Sequence, residues 1–210
     1  MKYLYIFVAF IILTLIKLNG QENYVPSLIK KVISSVVLVQ CETSLGSGDI
    51  VSIDGYILTN YHVVKDANLA NTQIQIKTHN KDLYIAKIIA FDDDLDICLL
   101  KTDKLENETD FFIANPDSVN VGEDVICIGN PFGYSEFVTK GIISKFNTPY
   151  IFTSASINPG NSGGAMINMK GELVGIPTMS YEGTQNFNFA ICPRTIRYFL
   201  NKNKINYRKG

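Results

Sequence analysis

The segment Gly160-Asn161-Ser162-Gly163-Gly164 sets a serine among residues that leave its hydroxyl unobstructed. Glycine neighbours permit a tight turn in which backbone N–H groups converge on one small volume. Such donors suit the oxyanion that develops during acyl transfer. A serine hydroxyl is a weak nucleophile until a base takes its proton, and histidine is the side chain best matched to that task near neutral pH. The chain has two histidines. His79 sits in the polar turn Thr78-His79-Asn80-Lys81-Asp82 and is expected to be solvated, whereas His62 closes the apolar run that starts at Gly55 and is expected at a strand end. An acid to orient it is found at Asp96, enclosed by Leu95 and the run Ile97–Leu100, while Asp92, Asp93 and Asp94 read as a solvated turn. A carboxylate among apolar residues is costly without a donor. An imidazole N–H supplies one and fixes the tautomer whose other nitrogen can accept the serine proton. Each signal has a plainer reading: a connecting loop, a structural histidine, an aspartate bonded to backbone. Together they favour Ser162 as nucleophile, His62 as base and Asp96 as the orienting acid.

The elements that would carry these residues are short and strand-like. Candidate strands are 36–41, 48–53, 56–59, 73–78, 84–90 and 97–101, then 124–128, 137–144, 150–154, 164–168, 173–177 and 186–191, each closed by turn residues. Asp54-Gly55 is a hairpin signal. Residues 107–120 are polar and turn-rich, a link between two halves. A short helix is expected over Val25–Lys31, and a last one from Pro193 to Asn203 with Ile196, Phe199 and Leu200 on one face. Two batches of about six strands with little helix imply an all-β fold of two packed six-stranded antiparallel β-barrels with a short C-terminal helix. The first barrel covers about 32–110 and the second about 119–192. Histidine and aspartate then fall in the first, serine in the second, so that a cleft between barrels assembles them. Their chain order, His, Asp, Ser, is that of the chymotrypsin type.

Composition narrows the classes. Of 210 residues 46% are hydrophobic, enough for one sizeable domain or two small joined ones. A net charge of −1, without a basic block, gives no reason to expect nucleic acid. Residues 1–20 pair Lys2 with the apolar run Leu4–Ile16, short for the roughly 20 residues of a membrane span, and read as a signal peptide, with an uncleaved anchor as the alternative. No stable membrane insertion is expected once it is cleaved, and the domain is expected outside the cytoplasm, secreted or periplasmic. Cys41, Cys98, Cys127 and Cys192 show no metal-ligand spacing, and neither a metal nor another cofactor is expected. Cys98 and Cys127 lie in apolar runs, which favours buried free thiols over a disulfide framework.

These residues resemble the trypsin-like proteases of the HtrA/Deg family. The resemblance is carried by Gly46-Ser47-Gly48, GYILTNYHVV (55–64), DLDICLLK (94–101), GEDVICIGNPFG (122–133), VTKGIIS (138–144), INPGNSGGAMIN (157–168), GELVGIPT (171–178) and FNFAICP (187–193). It spans about residues 36–193 and implies ATP-independent, metal-free endoproteolysis on a trypsin-like double barrel. By matching positions it implies the triad His62, Asp96 and Ser162, with the Gly160 and Ser162 N–H groups as oxyanion hole. Three departures stand out. Family members usually carry one or two PDZ domains after the protease domain, and this chain stops after its last expected helix. Ser154 occupies a position that is often aspartate. Pro177 interrupts a segment that should pair with the substrate backbone, and it has no N–H to donate.

Ser156, Ile176, Pro177 and Thr178 are the expected substrate-binding residues. No acid occurs around 154–156 or 176–178, so a preference for small or medium aliphatic residues, such as Val, Ala or Leu, is expected before the cut. Partners are protein or peptide substrates, unfolded ones among them. Trimers are common in the resembling family, which leaves a homo-oligomer open. The alternative function is a chaperone-like or peptide-binding role on the same scaffold.

Overall fold

The computed structural model describes residues 24–105, 108–130, 137–180 and 188–210. The expected leader, residues 1–20, lies outside the described residues. The chain enters through helix α1 (Tyr24–Val32), which turns Leu28 and Val32 inward. Strands β1 (Val36–Gln40), β2 (Leu45–Ser52), β3 (Tyr56–Thr59), β4 (Ile74–Lys77), β5 (Leu83–Asp92) and β6 (Ile97–Lys101) close into a barrel in the order β1-β2-β3-β6-β5-β4. After β7 (Phe112–Ile113) come β8 (Asp124–Gly129), β9 (Phe137–Asn147), β10 (Tyr150–Thr153), β11 (Ala165–Asn168), β12 (Leu173–Ser180) and β13 (Asn188–Ile191). These six, β8 to β13, form a second antiparallel barrel, in the order β11-β8-β9-β10-β13-β12 and closed by the β11–β12 pairing. Helix α3 (Pro193–Lys202) follows, and the two-residue strand β14 (Arg208–Lys209) lies parallel to β7. This is the expected architecture. The link expected to be plain loop also holds β7, which pairs in parallel with β12 through Ile113 and Leu173.

Alternation along the strands builds three cores from one pattern. In β1, Val37 and Val39 point into the first barrel with Ile50, Ile57 and Leu100. Val36, one residue out of phase, faces the second barrel with Val51, Leu58 and Leu99. In β8, Val125 and Cys127 fill the second barrel, whereas Ile126 and Ile128 meet the first. Ile196, Phe199 and Leu200 of α3 and Leu28 and Val32 of α1 join the shared layer between barrels. Each such side chain removed from water contributes about 1.5–3 kcal/mol, so the two barrels cannot part without exposing this layer. All four cysteines are free and buried, and burial holds the Cys127 thiol up at about 12.

The position of His62 differs from the strand end expected for it. β3 stops at Thr59, and His62 lies in helix α2 (Tyr61–Ala70), not on a strand. Tyr61, Val64 and Ala67 recur every three residues on its buried face, and Asn71 ends it in the left-handed conformation with its N–H on the last carbonyls. The apolar run is unbroken across the boundary, so strand and helix halves cannot be told apart by periodicity.

The shared layer also contains Asp49, which pairs across β2 with Val36 and Leu58. It is wholly buried, and neither carboxylate oxygen has a hydrogen-bond partner. Burial pushes this carboxyl well above the usual carboxylate range. The folded state therefore keeps a proton that the unfolded chain releases above about pH 3.9. The stability linked to Asp49 is fully present below that value and is lost as pH rises toward the folded-state pKa. Asp49→Val, which removes the unpaired polar group, is expected to stabilise the protein by about 1–3 kcal/mol and to abolish this part of the pH slope. Thermal melts of both proteins from pH 4 upward check it; equal slopes would refute it.

Candidate active site

Asp96 lies in the tight turn between β5 and β6, with φ +53. Its carbonyl accepts from the Tyr61 N–H at 3.2 Å and from Asn60 Nδ2 at 2.9 Å, tying the turn to the start of α2. Its carboxylate then caps that helix from outside: Oδ1 accepts from the His62 N–H at 2.9 Å. Asn60, in the N-cap position, makes no side-chain capping bond itself. An anion there also complements the positive end of the helix. Asp96 Oδ2 is 2.8 Å from His62 Nδ1, and the Thr178 hydroxyl donates to the same oxygen. Burial alone pushes the Asp96 carboxyl up. The bonds from the His62 ring, the Thr178 hydroxyl and the His62 N–H outweigh it, and the carboxyl lies below its ordinary value. The Tyr61 ring stacks on Phe91 at 4.2 Å, packing the first turn of α2 against β5.

Since a carboxylate only accepts, the proton on His62 Nδ1 faces Asp96, leaving Nε2 as the acceptor. The imidazole is 49% exposed whereas the carboxyl is 19% exposed, so the base reaches the cleft and its orienter does not.

Ser162 arrives on the loop before β11. Gly163, at φ +82, lets the loop press on the first barrel: a Cβ there would lie 2.3 Å from both Ser47 O and Thr59 Oγ1. The loop is pinned from both barrels. Ser47 N–H donates to Ser162 O at 2.9 Å, Ser47 Oγ donates to Gly160 O at 2.7 Å, and Gly163 N–H donates to Pro177 O at 2.9 Å. Gly160, at φ +96, completes the turn. Neither its N–H nor that of Ser162 donates to a backbone acceptor among the described residues. The Ser162 hydroxyl donates to Thr178 O at 3.2 Å.

His62, Gly160 and Ser162 line one cleft of about 310 Å³, with Leu45, Ile157, Asn158, Pro159 and Thr178. Of the four expected substrate-binding residues, only Thr178 belongs to that lining. Ile176 is buried between the barrels, and Pro177 is also buried, its carbonyl serving the serine loop. A shift of register between Pro177 and Met179 accommodates the proline in β12. Ser156 is exposed, its carbonyl accepting from Thr139 Oγ1, and Ser154 Oγ accepts from the Ile142 N–H. Leu45 and Ile157 went unnoticed in the sequence, although Ile157 opens the INPGNSGG block. The hydroxyl of Thr178 has a second, equally unforeseen task on Asp96. His79 is exposed, as expected. Among the described residues no cluster of His, Cys, Asp or Glu is arranged to hold a metal ion.

Residues 46–176 match the trypsin-like peptidase domain family. The chain is 43% identical over 159 residues to a protein of Pseudomonas putida strain F1 named "Probable periplasmic serine endoprotease DegP-like", an alignment covering 70% of this chain and 32% of that protein. A protein of the same name from Buchnera aphidicola of Baizongia pistaciae is 42% identical over 165 residues, covering 71% and 35%. The crystal structure of the serine endoprotease from Yersinia pestis superposes with a TM-score of 0.77 at 36% identity, covering 86% of this chain and 66% of that one. The chain thus spans about a third of the length of the curated relatives it matches.

Thr178→Val keeps the side-chain volume and removes one donor from Asp96. The Asp96 pKa is depressed, so its stability contribution is present above the unfolded-state value and is lost as pH falls through the folded one. In the variant that contribution should shrink by about 1.5–3 kcal/mol, the worth of a bond to a charged group. Acid unfolding should therefore begin at higher pH. Melts between pH 2 and 6 test this, and superimposable acid limbs would rule it out.

Proposed function

The chain belongs to the trypsin-like peptidase domain family, and on that premise we propose that it is a serine endopeptidase acting through an acyl-enzyme on Ser162. The observation that carries this reading is the double hold of Asp96 on His62, through backbone and ring, with Ser162 in the same cleft. In the proposed mechanism, rotation about its one side-chain bond moves the Ser162 hydroxyl from Thr178 O to His62 Nε2. The imidazole takes the hydroxyl proton as Oγ bonds to the substrate carbonyl carbon. The carbonyl electrons move to oxygen, where the N–H groups of Gly160 and Ser162 receive the charge; loss of one such donor typically costs about 2.7–4 kcal/mol of barrier. The imidazolium, held by Asp96, then protonates the leaving amine as the C–N bond breaks. Water repeats the sequence on the ester, giving its proton to His62 and releasing the acid.

Among the described residues the cleft lining holds no carboxylate to pair with Lys or Arg, and Leu45, Ile157 and Pro159 give it apolar walls. We assign it small or medium aliphatic residues on the acyl side of the scissile bond. Protein substrates outside the cytoplasm, unfolded chains in quality control among them, fit relatives named as periplasmic endoproteases.

A fluorophosphonate probe should label the protein at Ser162, and Ser162→Ala should abolish the label. An unlabelled wild-type protein would favour a chaperone-like scaffold instead. In a peptide library varied at the residue before the cut, Val, Ala or Leu should dominate; a dominant Lys or Arg would overturn the specificity assignment.

A further inference from the structure

A second cavity of about 310 Å³ opens where the first barrel meets the end of β8, and it shares no lining residue with the cleft. One wall is apolar, made by Ile33, Val36, Leu38 and Ile128. Leu38 pairs in register with Lys77 across β1 and β4, so both side chains stand on the outer face of the first barrel, toward the cavity. Lys77 is joined at the rim by Lys81, and neither ammonium forms an ion pair with another described residue.

Between the two lysines lies Thr78, a lining residue 4% exposed, whose Oγ1 is buried with no hydrogen-bond partner. A buried hydroxyl without a partner is unusual and carries a desolvation cost. Its backbone is fully engaged in the turn, with the N–H on Asp82 O and the carbonyl accepting from the Lys81 N–H. Two acids adjoin this turn, Asp82, which closes it through its backbone carbonyl, and Glu108, which accepts from Asn80 Nδ2; neither lines the cavity. Volume, an apolar wall and a few convergent polar groups are the marks of a small-molecule site. From these residues we propose that the cavity binds an amphiphilic carboxylate, its short acyl chain along Leu38, Val36 and Ile128 and its head group on Lys77 and Lys81, beside Thr78. The cavity lining also includes Asn130, whose N–H donates at 2.8 Å to Ser47 Oγ, the same hydroxyl that holds Gly160 O. A bound chain would thus lie two hydrogen bonds from the serine loop.

Isothermal titration with decanoate, kept below its micelle concentration, tests the assignment without reference to proteolysis. The full chain should bind saturably at one site. Decanol, with the same tail and no charge, should bind about tenfold more weakly or worse. Lys77→Gln/Lys81→Gln, at two exposed positions, should weaken decanoate by about tenfold at an unchanged melting temperature. No saturable binding, equal affinity for decanol, or a folded double variant that binds decanoate like the wild type would each overturn the proposal.

Discussion

The carboxylate of Asp96 is the point on which the arrangement depends. It accepts from the backbone of His62, from the ring of His62 and from the hydroxyl of Thr178. The first contact starts a helix, the second orients an imidazole, and the third reaches a strand of the other barrel. Three donors are what allow a carboxylate so far withdrawn from water to stay ionised. Protonating it would weaken all three at once. A substitution at this site would accordingly disturb α2, the imidazole and the contact between barrels together.

A comparable economy governs the serine loop. Ser47, in the first barrel, donates through its backbone to Ser162 O and through its hydroxyl to Gly160 O, and its own carbonyl accepts from Thr59 Oγ1. From the second barrel Pro177 offers its carbonyl to Gly163. Polar groups that would otherwise be stranded between two apolar surfaces thus satisfy one another, and in doing so they set the loop's position relative to His62. Close approach is permitted only because Gly163 lacks a side chain. The same crowded region leaves some atoms unmatched: both polar atoms of the Asn161 side chain are buried without a partner beneath the loop, as are both oxygens of Asp49 in the layer nearby. Such groups are tolerated where surrounding packing over-determines the geometry.

The serine's hydroxyl rests on the carbonyl of Thr178, the residue whose own hydroxyl serves Asp96. One side of β12 thereby touches both ends of the proposed relay. In a strand that also borders the cleft, a substrate backbone N–H seeking an acceptor would compete with the serine for that carbonyl. Under the proposed mechanism, substrate binding and release of the nucleophile would be linked through this one backbone group.

Local chemistry was legible in the amino-acid sequence. Gly/Asn/Ser composition marks the serine loop, an enclosed acid marks Asp96, and period-two alternation marks twelve strands in two batches, because each depends on residues adjacent in the chain. Those features carried the two-barrel architecture and pointed to the three residues proposed to react. The helical placement of His62 was hidden in an apolar run that serves strand and helix alike. The bond from Thr178 to Asp96 spans 82 positions, and Leu45 meets Ile157 in the cleft from more than 100 positions away. Distances of that kind are fixed by how two curved sheets press together, and no spacing along the polypeptide encodes them.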